Sequence, residues 1–479
     1  MSIITTTTIT TSSYGGAAYL PLTNCSSTLI KFNLEESIST PIRIKNVHDV
    51  IFDGLGNSFS CTGNFFEIGD DCYNIEIRNF NVTAVRAPAY GNSNNALFFL
   101  KMVTDLHNIS EFESATPRYN ILVHDNNLSL FNVAISLGAD HGPKIVNSSV
   151  YDNYIYGTVG TEAGFGYGIH LANAYSCSIS NNFIKQSTRH AIYNAWGNSN
   201  TITGNTIREH WKGVGLPPNQ VDYDNQPSRE IGKVRAALAI YRSSSGITVS
   251  GNIFEDTYNV SISLNTIPDG YVWDNPPSDY DPRPYGMMSY IIITGNTFTH
   301  TGAYYPNDTN SNNKNPAISI GSVMDSSHTY TGYLINYVTI QANDFTATNA
   351  DFVSFCQVFQ CNTLTIKDNS ITFSSYPFTS DVIHLLIAFN NGNVGILTMN
   401  VTATNNVFTT TNTSPQAHVV ISAFSDVSNH FNTGTQMTIT GNTLANQIIG
   451  GVQMYQLYYG FNATAYGTLP SGFNLQLES

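Results

Sequence analysis

A short pattern recurs along the chain, and this repeat restricts the fold more than any other feature. It consists of a β-branched residue, a polar residue, an asparagine, one variable residue and an apolar residue. Examples are SISNNFI at 178–184, TITGNTI at 201–207, TVSGNIF at 248–254 and TITGNTL at 438–444. The predicted ladder asparagines are Asn127, Asn153, Asn182, Asn205, Asn252, Asn296, Asn343, Asn369, Asn406 and Asn442.

Each repeat holds an alternating strand pattern, a turn at the asparagine and a second short strand. Asn and Gly tolerate the left-handed backbone of tight turns, and stacked Asn side chains can hydrogen-bond along an axis. The shortest spacing, 23 residues between Asn182 and Asn205, is too short for an α-helical repeat of about 34 residues. We therefore predict an all-β fold, a single right-handed parallel β-helix of about 10 to 12 coils with loop insertions.

The repeats, which cover residues 40–450, resemble the pectin-lyase-like right-handed parallel β-helix superfamily. That superfamily includes pectate and alginate lyases, polygalacturonases, epimerases, virion tailspikes and non-catalytic surface proteins, so the resemblance implies a fold but no single function. We predict an N-terminal arm or cap at 1–40, the β-helix at 41–450 and a C-terminal cap or tail at 451–479. A homo-oligomer, such as the trimer of tailspikes, is implied by analogy alone.

Composition excludes some classes of partner. The net charge is −14, with 19 Lys and Arg against 33 Asp and Glu, whereas nucleic-acid binding needs a broad basic face. No apolar run approaches the 18 or so residues of a membrane span. The Thr-rich start has neither the basic nor the apolar region of a recognisable signal peptide. Few lysines and many tyrosines and asparagines favour an extracellular or virion-surface location.

Six cysteines occur in the chain, and none lies in a zinc-binding pattern. Cys61 could pair with Cys72, and Cys356 with Cys361, but the sequence alone does not settle their connectivity.

Four long insertions separate the repeats: 157–167, 209–235, 265–288 and 303–316. Because loops on a rigid scaffold usually carry function, we expect a cleft beside them near the middle of the helix.

A local basic cluster lies in the same region. Eight of the 19 Lys and Arg residues fall between 185 and 242, namely Lys185, Arg189, Arg208, Lys212, Arg229, Lys233, Arg235 and Arg242. The segment has a net charge of +4, while the remainder of the chain sums to −18. A positively charged region on an acidic protein is a candidate binding site for an anionic ligand.

Strand register places these residues in two outward columns. One column is predicted to contain Tyr156, Lys185, Arg208 and Glu255, and the other Ser136, His170, Tyr193 and Tyr241. The connecting turns hold Arg189, His190, His210 and Lys212.

This inventory suits β-elimination of an acidic, uronate-containing polysaccharide, and we predict a polysaccharide lyase. Arg208 or Arg189 would neutralise the uronate carboxylate, and Lys185, His170 or His190 would remove the C5 proton. Tyr193 or Tyr241 would protonate the leaving oxygen. The predicted substrate-binding residues are Tyr241, Arg242, His210, Lys212 and Trp273.

Other interpretations of the same residues stay open. Arg208 and Glu255 fit a surface ion pair, His190 fits a core histidine by strand parity, and Tyr193 with Tyr241 fits an aromatic stack. The loop 269–285 combines four aspartates with aromatic residues, which suits a glycosidase or sugar binding.

No cofactor is expected, although the oxygens of the loop 269–285 leave a calcium role open. The pair Asp70 and Asp71 resembles the aspartates of polygalacturonases, but the later motifs of that family come in the wrong order. The pair is therefore interpreted as a turn. The main alternative to an enzyme is a non-catalytic structural or glycan-binding component of a virion or cell surface.

Overall fold

The computed structural model describes a large part of the 479-residue chain. The described residues are 5–10, 20–23, 26–33, 37–38, 41–85, 96–103, 117–138, 143–158, 166–210, 236–257, 260–265, 288–300, 315–321, 335–348, 352–358, 361–373, 382–389, 400–410, 418–425, 436–445 and 474–477. Within these ranges every regular element is a β-strand. No helix with the length and apolarity needed to cross a membrane occurs in them.

The chain divides between Leu238 and Ala239 into two units. The strands up to this division are β1 (Thr5–Thr10), β2 (Leu20–Thr23), β3 (Ser26–Asn33), β4 (Ser37–Ile38), β5 (Ile42–Lys45), β6 (His48–Asp53), β7 (Ser58–Cys61), β8 (Phe66–Ile68), β9 (Tyr73–Arg78), β10 (Asn81–Ala84), β11 (Phe98–Met102), β12 (Arg118–His124), β13 (Asn127–Ser129), β14 (Val133–Leu137), β15 (Ile145–Val146), β16 (Ser149–Tyr151), β17 (Tyr154–Tyr156), β18 (Tyr167–Ala172), β19 (Ala174–Tyr175), β20 (Ser178–Ser180), β21 (Phe183–Lys185), β22 (Ile192–Ala195), β23 (Thr201–Thr203), β24 (Thr206–Arg208) and β25 (Ala236–Tyr241), which contains the division.

The strands of the second unit follow in chain order. They are β26 (Thr248–Ser250), β27 (Ile253–Glu255), β28 (Val260–Asn265), β29 (Met288–Thr294), β30 (Thr297–His300), β31 (Asn315–Ile320), β32 (Ile335–Gln341), β33 (Asp344–Ala347), β34 (Phe352–Val358), β35 (Thr363–Lys367), β36 (Ser370–Phe373), β37 (Val382–Phe389), β38 (Asn400–Thr404), β39 (Val407–Thr410), β40 (His418–Ser425), β41 (Gln436–Thr440), β42 (Thr443–Ala445) and β43 (Asn474–Leu477).

Each unit consists of three parallel sheets through which the chain passes in a fixed order. A coil such as β20, β21, β22 contributes one strand to sheet 1, one to sheet 2 and one to sheet 3, before the chain returns to sheet 1. The strand pairings that the structure describes are parallel. The prediction of an all-β parallel β-helix is therefore confirmed.

Inward side chains of successive coils lie in register and form the core. In sheet 3 of the first unit, Ile135, Ile169 and Ile192 are aligned and fully buried. The residues that follow these isoleucines, Ser136, His170 and Tyr193, carry polar groups and belong to the opposite face, as the period of two requires. Burial of one such isoleucine contributes about 1.5–3 kcal/mol, so the stacked rows supply the main driving force of the fold.

A ladder of buried asparagines runs through the turn between sheets 1 and 2. In the first unit, the amide nitrogen of Asn153 donates to the side-chain oxygen of Asn182 at 2.9 Å, and Asn182 donates to Asn205 at 2.9 Å. In the second unit the ladder runs through Asn252, Asn296, Asn343, Asn369, Asn406 and Asn442 at 2.9–3.0 Å. Each ladder amide donates to backbone carbonyls or to the next amide, so these buried polar groups are satisfied.

The prediction of Asn127 as a ladder residue is wrong. The ladder residue of its coil is Asn126, which is 2% exposed and donates to the side-chain oxygen of Asn153 at 2.9 Å. Asn127 is exposed and pairs with Tyr154 in sheet 2. The ladder asparagine stands two residues before the inward apolar residue, here Leu128. Two consecutive asparagines concealed this spacing.

The residue before each ladder asparagine adopts the left-handed conformation. Examples are Asp152, Asn181 and Gly204, with φ of 54°, 55° and 65°. Asn, Asp and Gly accept this conformation at low cost, which explains why they precede the ladder residue in most repeats.

Strands also occur near both ends of the chain. β1 pairs with β3, and β3 pairs with β6, so strand pairing begins before residue 41. β43 pairs with β41 beyond residue 450. Whether these terminal segments act as caps stays a prediction.

The five described cysteines, Cys61, Cys72, Cys177, Cys356 and Cys361, are free and buried. The pairs considered from the sequence are therefore not formed. Burial raises the pKa of Cys61 to about 12 and that of Cys72 to about 11, so these thiols are neutral. A neutral buried thiol packs as a small apolar group and is not a nucleophile.

The ladder predicts a large difference in stability between two neighbouring asparagines. Asn126→Ala leaves the backbone N–H of Phe80 and the carbonyl of Ile77 without their partner, and each buried unsatisfied group costs about 1–3 kcal/mol. We expect the free energy of unfolding, measured by urea denaturation, to fall by about 2–4 kcal/mol. The control Asn127→Ala should change it by less than about 0.5 kcal/mol. Equal effects would contradict the assignment of the ladder.

Candidate functional site

Three of the four insertions leave sheet 2 and enter sheet 3. Insertion 157–167 lies between β17 and β18, 209–235 between β24 and β25, and 303–316 between β30 and β31. The fourth, 265–288, instead joins β28 of sheet 3 to β29 of sheet 1. The corner between sheets 2 and 3 of the first unit therefore carries two of the insertions, 157–167 and 209–235.

The predicted outward column on sheet 3 is confirmed in the first unit. Ser136 pairs in register with His170, and His170 with Tyr193. The Ser136 hydroxyl and Nδ1 of His170 lie 3.0 Å apart, at hydrogen-bond distance. This bond orients the His170 ring against Ser136.

Four rings form one cluster on this face. His170 and Tyr193 have their ring centroids 5.3 Å apart, and His190 lies 5.5 Å from Tyr193. Tyr167 stacks on Tyr193 at 5.2 Å with an interplanar angle of 4°. The guanidinium carbon of Arg189 lies 5.6 Å from the centroid of the Tyr167 ring, which is a cation–π contact.

We call these five residues the ring cluster: Tyr167, His170, Arg189, His190 and Tyr193. The sequence did not predict a place for Tyr167 in this cluster, because the residue ends the insertion 157–167. Its only signal in the sequence is its place as the first residue of β18, two before the aligned Ile169.

His190 is anchored to the backbone within the cluster. It is 7% exposed, and its Nδ1 lies 2.6 Å from the carbonyl oxygen of Ala236. Because a carbonyl only accepts hydrogen bonds, Nδ1 carries the proton and Nε2 is the basic nitrogen of the neutral ring. His190 is thus both a packed histidine and an oriented one.

Lys185 and Arg208 lie on sheet 2, and their predicted column is confirmed as far as the first unit extends. Tyr156 pairs with Lys185, and Lys185 with Arg208. The Lys185 ammonium lies 3.4 Å from a carboxylate oxygen of Glu209, and both side chains are partly exposed. Such a surface ion pair contributes about 0–1 kcal/mol. Glu255, predicted to continue the column, belongs to the second unit.

His210 does not fit the substrate-binding role predicted for it. The residue is 0% exposed, and its Nε2 contacts the backbone carbonyl of Arg189. A ring enclosed in this way fastens the turn that carries Arg189 and is out of reach of a polysaccharide chain. The sequence could not distinguish the two roles, because His210 directly follows an exposed strand end.

The remaining predicted binding residues are not part of the ring cluster. Tyr241 and Arg242 belong to the second unit, where the Arg242 guanidinium lies 5.6 Å from the Tyr241 ring centroid. Lys212, Trp273 and the whole loop 269–285 lie outside the described residues.

Asp70 has a structural role that agrees with the interpretation of its segment as a turn. Its carboxylate accepts a hydrogen bond at 2.9 Å from Arg118, which is 2% exposed and also donates to the carbonyl of Val103. The burial of Arg118 requires this partner, since an unpaired buried charge is strongly unfavourable.

A close backbone approach positions the ring cluster. The N–H of Gly168 donates to the carbonyl of His190, and the N–H of Ile169 donates to that of Ala191 at 2.8 Å. A Cβ on Gly168 would lie 2.5 Å from the Ala191 oxygen. Only glycine therefore allows the turn at 189–191 to lie against β18.

Similarity to known proteins agrees with the fold. The NosD family, described as a periplasmic copper-binding protein, matches residues 101–299. The match spans less than half of the chain. A comparison with curated proteins found no match.

Solved structures resemble the chain at low identity. The catalytic domain of a GH87 α-1,3-glucanase in complex with nigerose is 12% identical, with a TM-score of 0.50, over 88% of this chain and 68% of that one. The alginate lyase from Paenibacillus sp. str. FPU-7 is 13% identical, with a TM-score of 0.39, over 77% and 94%. The tailspike protein of E. coli bacteriophage HK620 in complex with a pentasaccharide is 13% identical, with a TM-score of 0.42, over 92% and 71%.

Together with the sheet topology, the similarity to the glucanase domain defines the class of the protein at the level of the fold. The chain has a right-handed parallel β-helix fold. An identity of 12% to the glucanase domain shows the fold alone.

The description of the NosD family raises the question of a copper site. Among the residues that the structure describes, no three His, Cys, Asp or Glu side chains come together so that they could hold a metal ion. The ring cluster contains two histidines, and their Nδ1 atoms face Ser136 and the Ala236 carbonyl. Two histidines alone are one donor short of a group of three.

The close approach at Gly168 predicts a defect in Gly168→Ala. The added Cβ would also lie 3.0 Å from Ile184, so the strand and the turn must separate, at a cost of about 1–3 kcal/mol in the free energy of unfolding. Urea denaturation measures this loss. The control Gly69→Ala, where the nearest atom would be 3.1 Å away, should lose less. A loss in Gly168→Ala no larger than in the control would contradict the role of this contact.

Proposed function

We propose that the protein is a polysaccharide lyase that cleaves an acidic, uronate-containing glycan by β-elimination at the ring cluster. The observation that carries the proposal is the joining of a guanidinium, two oriented imidazoles and a phenol in one set of contacts. These are the three kinds of group that the reaction needs: a cation, a base and an acid.

The proposed chemistry assigns one step to each group. Arg189 pairs with the uronate carboxylate and draws charge from C5, which makes the C5 proton more acidic. The base takes this proton as the C4–C5 double bond forms and the bond from C4 to the leaving oxygen breaks. Tyr193 gives its phenolic proton to that oxygen. The products are an unsaturated uronate and a new chain end.

We assign the base to His170 and a positioning role to His190. His170 is half-buried on the outward column beside Tyr193, whereas His190 is 7% exposed and bonded to the backbone. Ser136 orients the His170 ring so that Nε2 is the reacting nitrogen.

Lys185 and Arg208 extend the proposed site onto sheet 2. Their strands precede the corner that leads to the ring cluster, and their charges contribute to the net +4 of segment 185–242. A local positive potential on a protein of net charge −14 would attract a polyanionic chain. We propose that these two residues bind carboxylates of sugars flanking the cleaved bond.

The test is an elimination assay with polygalacturonate, alginate and hyaluronan, in which absorbance reports the unsaturated uronate. Tyr193→Phe and His170→Ala should each reduce the rate by about 10²–10⁴-fold, because each removes a proton-transfer group. The control Tyr156→Phe removes a half-buried phenol from sheet 2 and should leave the rate unchanged.

Each other outcome of this assay has a definite meaning. No unsaturated product from any of these uronates would overturn the lyase proposal for them. New reducing ends without unsaturation would indicate hydrolysis and direct attention to the carboxylates of the loop 269–285. A wild-type elimination rate in Tyr193→Phe would contradict the assignment of the reaction to the ring cluster.

A second candidate, a non-catalytic glycan-binding or structural protein, is favoured by one observation. Several cations are already paired across coils, as in Arg43 with Glu67, Arg78 with Asp53 and Lys185 with Glu209. Binding of a uronate polymer without turnover would support this candidate. For either function we propose an extracellular or virion-surface location, and oligomerisation stays a prediction.

The proposed reaction uses no cofactor. We expect EDTA treatment to leave the elimination rate unchanged, because Arg189 supplies the positive charge that a bound cation would otherwise provide. A loss of rate restored by calcium, but not by magnesium, would contradict this and favour the aspartates of the loop 269–285 as ligands.

A further inference from the structure

A column of left-handed residues lies at the start of sheet 1 in the second unit. Ser245 pairs with Ser289 and Thr248 with Ile292, which aligns Gly246 with Tyr290. The pairing of β29 with β32 aligns Tyr290 with Tyr337 in the same way. The three φ angles are 64° for Gly246, 57° for Tyr290 and 52° for Tyr337.

The equivalent position in the first unit is filled by small polar residues. They are Ser27, Asp49, Asn74, Asn120, Asn147, Ser176 and Ser199, all with φ between 50° and 56°. Asn and Asp accept the left-handed region readily, whereas a bulky residue there is strained. Tyrosine on two successive coils therefore departs from the rule of this column, and such strain tends to persist where it serves a function.

Both tyrosine rings are exposed and stacked on each other. Tyr290 is 60% exposed and Tyr337 is 49% exposed. Their centroids lie 4.9 Å apart with an interplanar angle of 5°. Stacking fixes the Tyr290 ring at the spacing of the coils and leaves its second face pointing towards the coil of Gly246.

Gly246 leaves a space in the column beside that second face. Because glycine has no side chain, no side chain of this column stacks on Tyr290 from this direction among the described residues. The spacing of the coils is about 4.8 Å, so the missing side chain leaves the height of one coil for a single ring. The hydroxyls of Ser245 and Ser289, 3.0 Å apart, lie next to it in the sequence and supply polar groups.

Within the part of the chain that the structure describes, the side chains next to Tyr290 in this sheet are apolar or uncharged. Ile292 is 39% exposed two residues beyond Tyr290, and its register partners Thr248 and Thr339 are uncharged. A hexopyranose ring has this combination of surfaces, since its C–H groups pack on an aromatic face and its hydroxyls bond to serine and threonine.

We propose that Gly246, Tyr290 and Tyr337 form a binding subsite for a neutral hexopyranose ring of a glycan, stacked on the free face of Tyr290 above Gly246. The subsite belongs to the second unit and takes no part in the elimination, so it goes beyond the proposed function and does not depend on it. Tyr337 supports the binding ring from behind.

The test uses saturation-transfer NMR titrations of the full chain with cellohexaose and with laminarihexaose. Tyr290→Ala should weaken the Kd by about fivefold or more, the loss expected when one aromatic ring contact disappears. Gly246→Asn should weaken it similarly by filling the space, and the backbone tolerates Asn because this residue occupies the same position at 74, 120 and 147. Tyr337→Ala should have a smaller effect.

A matched control separates this subsite from exposed tyrosines in general. Tyr154 is 42% exposed and stacks on Phe183 at 5.2 Å, but it has no left-handed backbone and belongs to the first unit. Tyr154→Ala should therefore bind as the wild type does. Circular dichroism and thermal unfolding of each variant exclude misfolding.

Three results would overturn the subsite. They are an absence of saturation transfer to both hexasaccharides in the wild type, wild-type binding by both Tyr290→Ala and Gly246→Asn, and an equal loss in Tyr154→Ala. Because the probes carry no uronate, a failure here leaves the lyase assay unaffected. The reverse also holds, since loss of elimination in Tyr193→Phe leaves these titrations unchanged.

Discussion

The amide ladder is the interaction on which the rest of the structure depends. Each ladder asparagine ties its own turn to the next coil through a side chain that is 0–7% exposed. The bonds repeat at 2.9–3.0 Å, so each unit holds its coils in one register. Because a shift of one residue would turn every inward isoleucine outward, this register also specifies the core. The outward columns are a consequence of it.

The ring cluster shows how a repeating scaffold brings different side chains together at one corner. Sheets 1 and 2 meet in a short turn that the ladder occupies, whereas the corner between sheets 2 and 3 accepts insertions of different lengths. Gly168 lets the turn at 189–191 approach β18 closely, and His210 fastens the same turn from inside. Arg189 and His190 are thereby held against the rings of sheet 3. Groups far apart in the repeat pattern thus come together at one corner.

The left-handed position at the start of the sheet 1 strands also recurs from coil to coil, with different residues in the two units. In the first unit these positions carry Ser, Asn or Asp, and Asn and Asp accept the left-handed backbone with little strain. In the second unit Tyr290 and Tyr337 occupy the same position, although Asn would be less strained. Strain retained on adjacent coils, beside a glycine, distinguishes these two tyrosines from the exposed apolar residues found singly on most protein surfaces.

The sequence by itself determined the parallel β-helix, nine of the ten ladder residues and the outward columns through Lys185 and through His170, because these features follow from local periodicity. It predicted Asn127 instead of Asn126 as the ladder residue of one coil, since two adjacent asparagines satisfy the same pattern. Only the tertiary structure decided that His210 is enclosed, that Tyr167 joins the rings and that Lys185 pairs with Glu209. Those outcomes depend on how the longer turns between sheets 2 and 3 fold back, and the repeat pattern specifies only the short turn at the ladder asparagine.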